Sequence, residues 1–350
     1  MISLSLLALI TTSLVRSVQS QQCPTGLPSS FDNVQKTFKR PNLPDRKYKL
    51  YTPADYDPSV PSKLTFYFHG WGGSGNVRPS LQDLADEYNY IVVAPTGLKG
   101  GFSEYNSWQN YGSNTGFDPT GTEPTCDTSQ STPDYCYASC APCENRCQWT
   151  HCLDDDIDFV RDLILGGNGF ENALEDLVCF DPSNVHVTGN SNGGMFTWTL
   201  VQDERTAPLI AAGAPIIGAP HCGYDFAPTT QTPMISFMGE SDATVSPTNL
   251  PFPGEPTDTC IVNRDGEAYL YVAGPKIMKT WAKAGPDSCS DNVIDDEFPS
   301  IIRQFPNFIC TTWCEGGGAP YAVDCYFDGG HIEPEYALDG AFRFFELHSN

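Results

Sequence analysis

The sequence is short of positive charge. Only 19 of its 350 residues are Lys or Arg, against 43 Asp and Glu, which leaves a formal net charge of −24. Nucleic acid and anionic membrane surfaces are therefore poor partners, because both attract basic proteins. The acidity itself reads most simply as solubility. No N-x-[ST] sequon occurs, so glycosylation at that acceptor motif is not expected. Long charge runs, low-complexity tracts and internal repeats are also missing. No apolar stretch reaches the roughly 18 continuous residues that a membrane helix needs. The opening run MISLSLLALITTSLV is short and interrupted, and the small residues around Val18-Gln19-Ser20 suit cleavage. Residues 1–20 thus read as a secretory signal peptide, with a mature start near Gln21 and a secreted, extracellular product.

Cysteine is not scarce. Fourteen are present, an even number that fits export and disulfide bonding. Six of them crowd between Cys126 and Cys152, among Pro124, Pro133 and Pro142, which points to a stapled, loop-rich insertion at about 104–152. Cys140, Cys143, Cys147 and His151 also have zinc-ligand spacing. An oxidising compartment and six cysteines that pair without remainder favour disulfides, so no metal is expected there. Connectivity is not deducible from spacing.

Along the chain, β-like runs alternate with helical patterns. The former are KYKLYTP, LTFYFHG, YIVVAP, VHVTG, LIAAGAPII, PMISFMG and AVDCYF. Several are almost continuously apolar, as strands covered on both faces are. Helical periodicity marks 81–88, 155–165, 193–201, 274–284 and 336–347. Alternation of this kind implies βαβ crossovers and a mostly parallel sheet with helices on both faces. Residues 21–350 are expected to form one α/β catalytic domain, with irregular excursions at 100–152 and 246–268 at the edge where strands end and ligands bind.

The chemistry centres on VHVTGNSNGGMFT. Gly189-Asn190-Ser191-Asn192-Gly193 fits G-x-S-x-G, after a β-branched strand and before a helix. A serine hydroxyl is a weak nucleophile until a base takes its proton, so a histidine and a carboxylate are required. Among six histidines, His331 stands out, following Asp328-Gly329-Gly330 in a loop that can carry an imidazole over the sheet edge. His69 ends a strand and reads as a loop-orienting residue. Asp242 follows the apolar run of SFMGESDATV and lies between serine and histidine in chain order, with Glu240 as local competitor. The order Ser191, Asp242, His331 is that of α/β-hydrolases. Acyl transfer also needs donors for the developing oxyanion. The backbone N–H of Asn192 and that of Trp71, in His69-Gly70-Trp71-Gly72-Gly73, are the candidates. No cofactor is needed.

HGWGG after a strand, GNSNGGM at the serine, M-G-E-S-D-x-x-V at the acid and D-G-G-H at the histidine together resemble a known group. It is the secreted esterase and polyhydroxyalkanoate-depolymerase group of α/β-hydrolases, which includes feruloyl and acetylxylan esterases of carbohydrate esterase family one. The similarity runs from about Lys47 to the C-terminus. It implies an α/β-hydrolase fold, with nucleophile, acid and base at Ser191, Asp242 and His331. It also implies an ester substrate, either feruloyl or acetyl groups on a polysaccharide or a polyester. An inactive, binding-only relative is the alternative from another class.

Three side features remain. Asp154, Asp155 and Asp156 read as helix capping rather than a calcium site. Trp108 could stack on a substrate ring or pack internally. The loop from Gly70 to Gly75 lacks the G-K-[ST] ending of a phosphate cradle.

Overall fold

The computed structural model describes residues 23–100, 105–130, 135–143, 145–153, 156–247, 260–262, 265–285, 308–313 and 319–349. The expected signal peptide and Asp154 and Asp155 lie outside them. An antiparallel pair comes first, β1 (Val34–Phe38) and β2 (Arg46–Tyr51). β3 (Ser62–Phe68), helix α1 (Pro79–Tyr88) and β4 (Tyr90–Pro95) then make a first crossover. Two short paired strands, β5 (Leu98–Lys99) and β6 (Asn106–Ser107), flank the start of the insertion. Beyond it come α2 (Asp156–Leu165), β7 (Phe180–Asn190), α3 (Asn192–Gln202), β8 (Ala212–Ile216) and β9 (Met234–Gly239). A small pair, β10 (Ile261–Val262) with β11 (Leu270–Tyr271), precedes α4 (Gly274–Lys283). The last elements are β12 (Phe308–Thr312), β13 (Ala322–Phe327) and α5 (Glu335–Leu347).

Nine strands form one sheet in the order β1-β2-β4-β3-β7-β8-β9-β13-β12. From β4 to β13 all neighbours are parallel, and only β2 and β12 run against the rest, since β1, antiparallel to β2, shares the direction of the central strands. Alternation along β3 shows how the layers close. Leu64, Phe66 and Phe68 enter one apolar cluster with Trp198 of α3 and Trp281 of α4, while Tyr67 enters a second with Leu81 of α1 and Phe342 of α5. Helices α2, α3 and α4 thus cover one face, and α1 and α5 the other. This is the α/β-hydrolase fold.

Strands β1 and β12 have no counterpart in the apolar pattern of the sequence. Both are edge strands with half-exposed side chains, so they carry no strong alternation.

Inside the insertion the cysteines pair as Cys126–Cys147, Cys136–Cys143 and Cys140–Cys152. The alternative zinc set is thereby dissolved, since each of its three thiolates is spent on a different disulfide. Further bridges are Cys23–Cys179, Cys222–Cys260 and Cys310–Cys325, while Cys289 and Cys314 lie outside the described residues. His151 directs Nε2 to the Ser107 carbonyl at 3.0 Å and to Asp156 Oδ2 at 3.2 Å.

Asp156 corrects the capping expectation. Its carboxylate is fully buried and accepts from Arg46 Nη2 at 2.6 Å and from the Gln109 N–H at 2.8 Å. Burial alone would raise its pKa, yet the Arg46 guanidinium and His151 hold it down at about 2. This acid is therefore an internal anchor for β2 and the insertion, not a solvated cap.

Candidate active site

Ser191 occupies the turn between β7 and α3 with φ 53° and ψ −121°. That conformation costs a non-glycine residue about 1–3 kcal/mol, so the surroundings must impose it. They do so through the Ser191 N–H, which donates to the Ile216 carbonyl at 2.9 Å, and through the Met195 N–H, which donates to the Ser191 carbonyl at 2.9 Å. Glycine at 193 is obligatory here, because a Cβ on it would lie 2.1 Å from the Phe68 carbonyl oxygen. A Cβ on Gly70 would come within 3.3 Å of Ser191 Cβ, so the HGWGG loop runs directly against the serine.

The structure brings the three predicted side chains together. His331 Nε2 lies 2.8 Å from Ser191 Oγ, and His331 Nδ1 lies 2.8 Å from Asp242 Oδ2. A carboxylate can only accept, so Nδ1 carries the proton and the Nε2 lone pair faces the serine hydroxyl. Asp242 is fully buried, and its other oxygen accepts from the Thr244 and Val245 N–H groups at 2.9 and 2.8 Å. The turn after β9 therefore holds the acid through its own N–H groups, and Asp242 rather than Glu240 takes the bond to the histidine. His331 keeps its side chain 23% exposed, which leaves water a route to it.

His69 has the orienting place anticipated for it. The Gly97 N–H donates to Nε2 at 3.0 Å, so Nδ1 must hold the proton that goes to the Gly70 carbonyl at 2.7 Å. Burial pushes its pKa down to about 4, which keeps the ring neutral.

The two expected oxyanion donors share one support, and it is Trp108. This residue is fully buried, so it offers no platform for a substrate ring. Its indole stacks on Phe196 at 5.1 Å between centroids and donates from Nε1 to the His69 carbonyl at 3.0 Å. Its main chain meets the Asn192 side chain twice, N–H to Oδ1 at 2.8 Å and carbonyl to Nδ2 at 3.0 Å. Trp108 thus clamps the HGWGG loop to the start of α3. Neither the Trp71 nor the Asn192 N–H has a backbone partner among the described residues. Asn192 also begins a helix, where the first N–H groups are free by geometry.

Sequence reasoning missed the residues that hold the histidine loop. Two positions after His331, Glu333 forms an ion pair with Arg78 Nη2 and accepts from Tyr67 Oη at 2.7 Å. Tyr67 Oη also reaches Asn190 Oδ1, at 3.3 Å, tying the histidine loop to the residue before the serine. The only signal in the sequence was the position of Glu333 so near the histidine, which says nothing about a partner some 250 residues earlier.

Above Ser191 and His331 opens a cleft of about 570 Å³. Trp71, Tyr135, Trp149 and Tyr269 give it aromatic walls, while Asp265 and Glu267 add carboxyl groups. Two of these walls, Tyr135 and Trp149, come from the disulfide-rich insertion. It is moored to the segment before α4 by hydrogen bonds from the Asp127 N–H to the Ala268 carbonyl at 2.8 Å and from the Leu270 N–H to the Thr125 carbonyl at 2.9 Å.

No protein-family model matches the sequence, and no curated protein matches it. Solved structures similar in fold include an acetyl xylan esterase from Aspergillus awamori, 15% identical, which covers 86% of this chain and 94% of its own at a TM-score of 0.48. A protein named sOPH is 13% identical over 93% of this chain and 88% of its own, at a TM-score of 0.46. Esterase 2 of Thermogutta terrifontis, phosphorylated by paraoxon, is 16% identical over 63% of this chain and 74% of its own, at 0.35. Such likenesses concern the fold, and what the site can do follows from its own geometry.

Proposed function

We propose that the chain is a secreted serine esterase that cleaves carboxylic esters through an acyl-enzyme. The observation that carries this is the unbroken relay at 2.8 Å and 2.8 Å from Ser191 Oγ through the His331 ring to Asp242. Ser191 Oγ attacks the ester carbonyl as His331 Nε2 takes its proton, and Asp242 stabilises the imidazolium. The Trp71 and Asn192 amides receive the oxyanion, each such donor being worth about 3–4 kcal/mol in the transition state. The tetrahedral intermediate collapses, the alkoxide leaves with the proton from His331, and Ser191 is acylated. Water, deprotonated by the same ring, then attacks the acyl carbonyl and frees the acid. The ring then returns its proton to Ser191 Oγ as the acid leaves, which restores the starting state.

The aromatic cleft and its acidic rim favour a neutral substrate that presents a ring, which suits feruloyl or acetyl esters of polysaccharides. Ile332, beside His331 at the cleft and 74% exposed, is the feature that favours a polyester instead. Six disulfides among the described residues support export. Among the described residues no helix is long and apolar enough to cross a membrane.

The test is turnover of a nitrophenyl acyl ester by the wild type and by Ser191→Ala. Turnover should vanish in the variant while its melting temperature holds. Persistent turnover would remove Ser191 from the reaction. Release rates from methyl ferulate, acetylated xylan and a polyester film then rank the substrates.

A further inference from the structure

Tyr269 lines the cleft with only 3% of its surface exposed, and its hydroxyl has no hydrogen-bond partner among the described residues. An orphaned buried hydroxyl is destabilising, and such groups are rare enough to call for an occupant. Two residues earlier, Glu267 lines the same cleft. Its Oε1 accepts from Tyr135 Oη at 2.7 Å, and no bond engages Oε2 among the described residues. A donor and an acceptor that lack partners among the described residues therefore lie two positions apart on one segment that lines the cleft. Around them are flat apolar faces, Trp149 with its ring centroid 6.0 Å from that of Tyr269, and Tyr135 at 5.1 Å from Trp71.

The Trp149 wall is also fixed rather than adaptable. Its Nε1 donates to His221 Nε2 at 2.9 Å, and His221 Nδ1 faces the Leu270 carbonyl at 3.0 Å. Because a carbonyl only accepts, Nδ1 holds the proton and Nε2 is free to accept from the indole. Two bonds through one imidazole thus link the insertion, the segment after β8 and β11.

We propose that Tyr269 and Glu267 form a specificity subsite that reads a hydroxyl on a neutral substrate ring. The ring lies against the aromatic walls, its hydroxyl accepting from Tyr269 Oη and donating to Glu267 Oε2. A hydroxyl is the smallest group that satisfies both at once, whereas a carboxylate would meet Glu267 and Asp265 with like charge. This rests on the esterase reading of Ser191. The ring can belong to the acyl group, as a phenol, or to the alcohol, as a sugar.

The experiment compares kcat/KM for matched pairs in the wild type, Tyr269→Phe and Glu267→Gln. The acyl arm sets methyl 4-hydroxycinnamate against methyl cinnamate, and the alcohol arm sets acetylated methyl xyloside against cyclohexyl acetate. In one arm the wild type should favour the hydroxylated ester by about tenfold, expressed mainly in KM, and each variant should bring that ratio towards one. The arm that responds identifies the source of the ring. Melting temperature is the second readout. Tyr269→Phe should not lower it, because no bond among the described residues is lost, and a clear drop would assign the hydroxyl to structure instead. A preference that survives both substitutions, or no preference in either arm, overturns the subsite while leaving the esterase standing. If the wild type hydrolyses none of the four esters and takes up no fluorophosphonate, the esterase reading itself fails and the subsite falls with it.

Discussion

The main chain of Trp108 and the side-chain amide of Asn192 hold each other through two hydrogen bonds, of 2.8 and 3.0 Å, directly behind the serine. The same tryptophan holds the His69 carbonyl through Nε1. One buried residue therefore sets the spacing of the two loops that carry the proposed oxyanion donors. Trp108→Phe keeps the stacked ring and deletes only the bond to His69. It should lower kcat on a nitrophenyl acyl ester about tenfold with KM little changed, since the substrate never touches residue 108. A rise in KM with kcat preserved would return Trp108 to the substrate surface.

Asp242→Asn tests the imidazole's orientation. The amide oxygen can still accept from the Thr244 and Val245 N–H groups, but the NH₂ then faces His331 Nδ1 and forces the proton onto Nε2. A ring in that tautomer cannot take the serine proton. Steady-state kcat should fall roughly 10³–10⁴-fold, the scale of the equivalent change in a serine protease. A loss below tenfold would give Asp242 a structural role only.

How much of this was legible in the sequence depends on how local each signal was. The elbow at Ser191 declares itself within five residues, because backbone that turns so sharply requires glycine at 193. The parallel strands are equally plain, since burial on both faces leaves continuous apolar runs such as YIVVAP in β4. Strand β1, VQKTF, is exposed along most of its length and resembles a loop in composition. Trp108 was ambiguous because an indole serves equally in a core or on a surface, and only its three-dimensional neighbours decide. Asp156 looked like one of three helix-start acids. Its partner Arg46 lies 110 residues away in sequence, and no periodicity connects them. An even longer separation hid Arg78 and Glu333.

That last pair yields a kinetic prediction. Glu333→Gln keeps the shape of the side chain but removes the charge that Arg78 meets. The loop carrying His331 should then wander, and kcat should drop about tenfold with unchanged dependence on the acyl chain. Arg78→Gln should do the same, and the double variant should cost no more than either single one, as expected for partners in one interaction. Additive losses would show that the two residues act separately.

Acid stability follows from the buried histidines. Burial lowers His69 to about 4, His186 to about 3 and His221 to about 4, from an ordinary value of 6.5. The unfolded chain binds protons across that interval and the folded chain does not. Their contribution is therefore complete above about pH 6.5 and is lost as pH falls towards 4. Asp156, held at about 2 against an ordinary 3.8, extends the loss to lower pH. Asp324 acts in the opposite sense. Burial raises it to about 6, so its stabilising share is present in acid and lost as pH rises through that value. Three histidines outweigh one carboxyl, and the melting temperature should fall steadily from pH 6.5 to pH 4. A flat or rising profile over that range would contradict the neutral, buried state of these rings.

The most direct measurement is the intact mass of the protein after treatment with a fluorophosphonate, followed by peptide mapping. A serine activated by His331 and Asp242 should gain one phosphonyl group, on Ser191 alone, and Ser191→Ala and His331→Ala should gain none. An unmodified wild type, or an adduct on any other residue, would show that these three side chains do not form a working nucleophile.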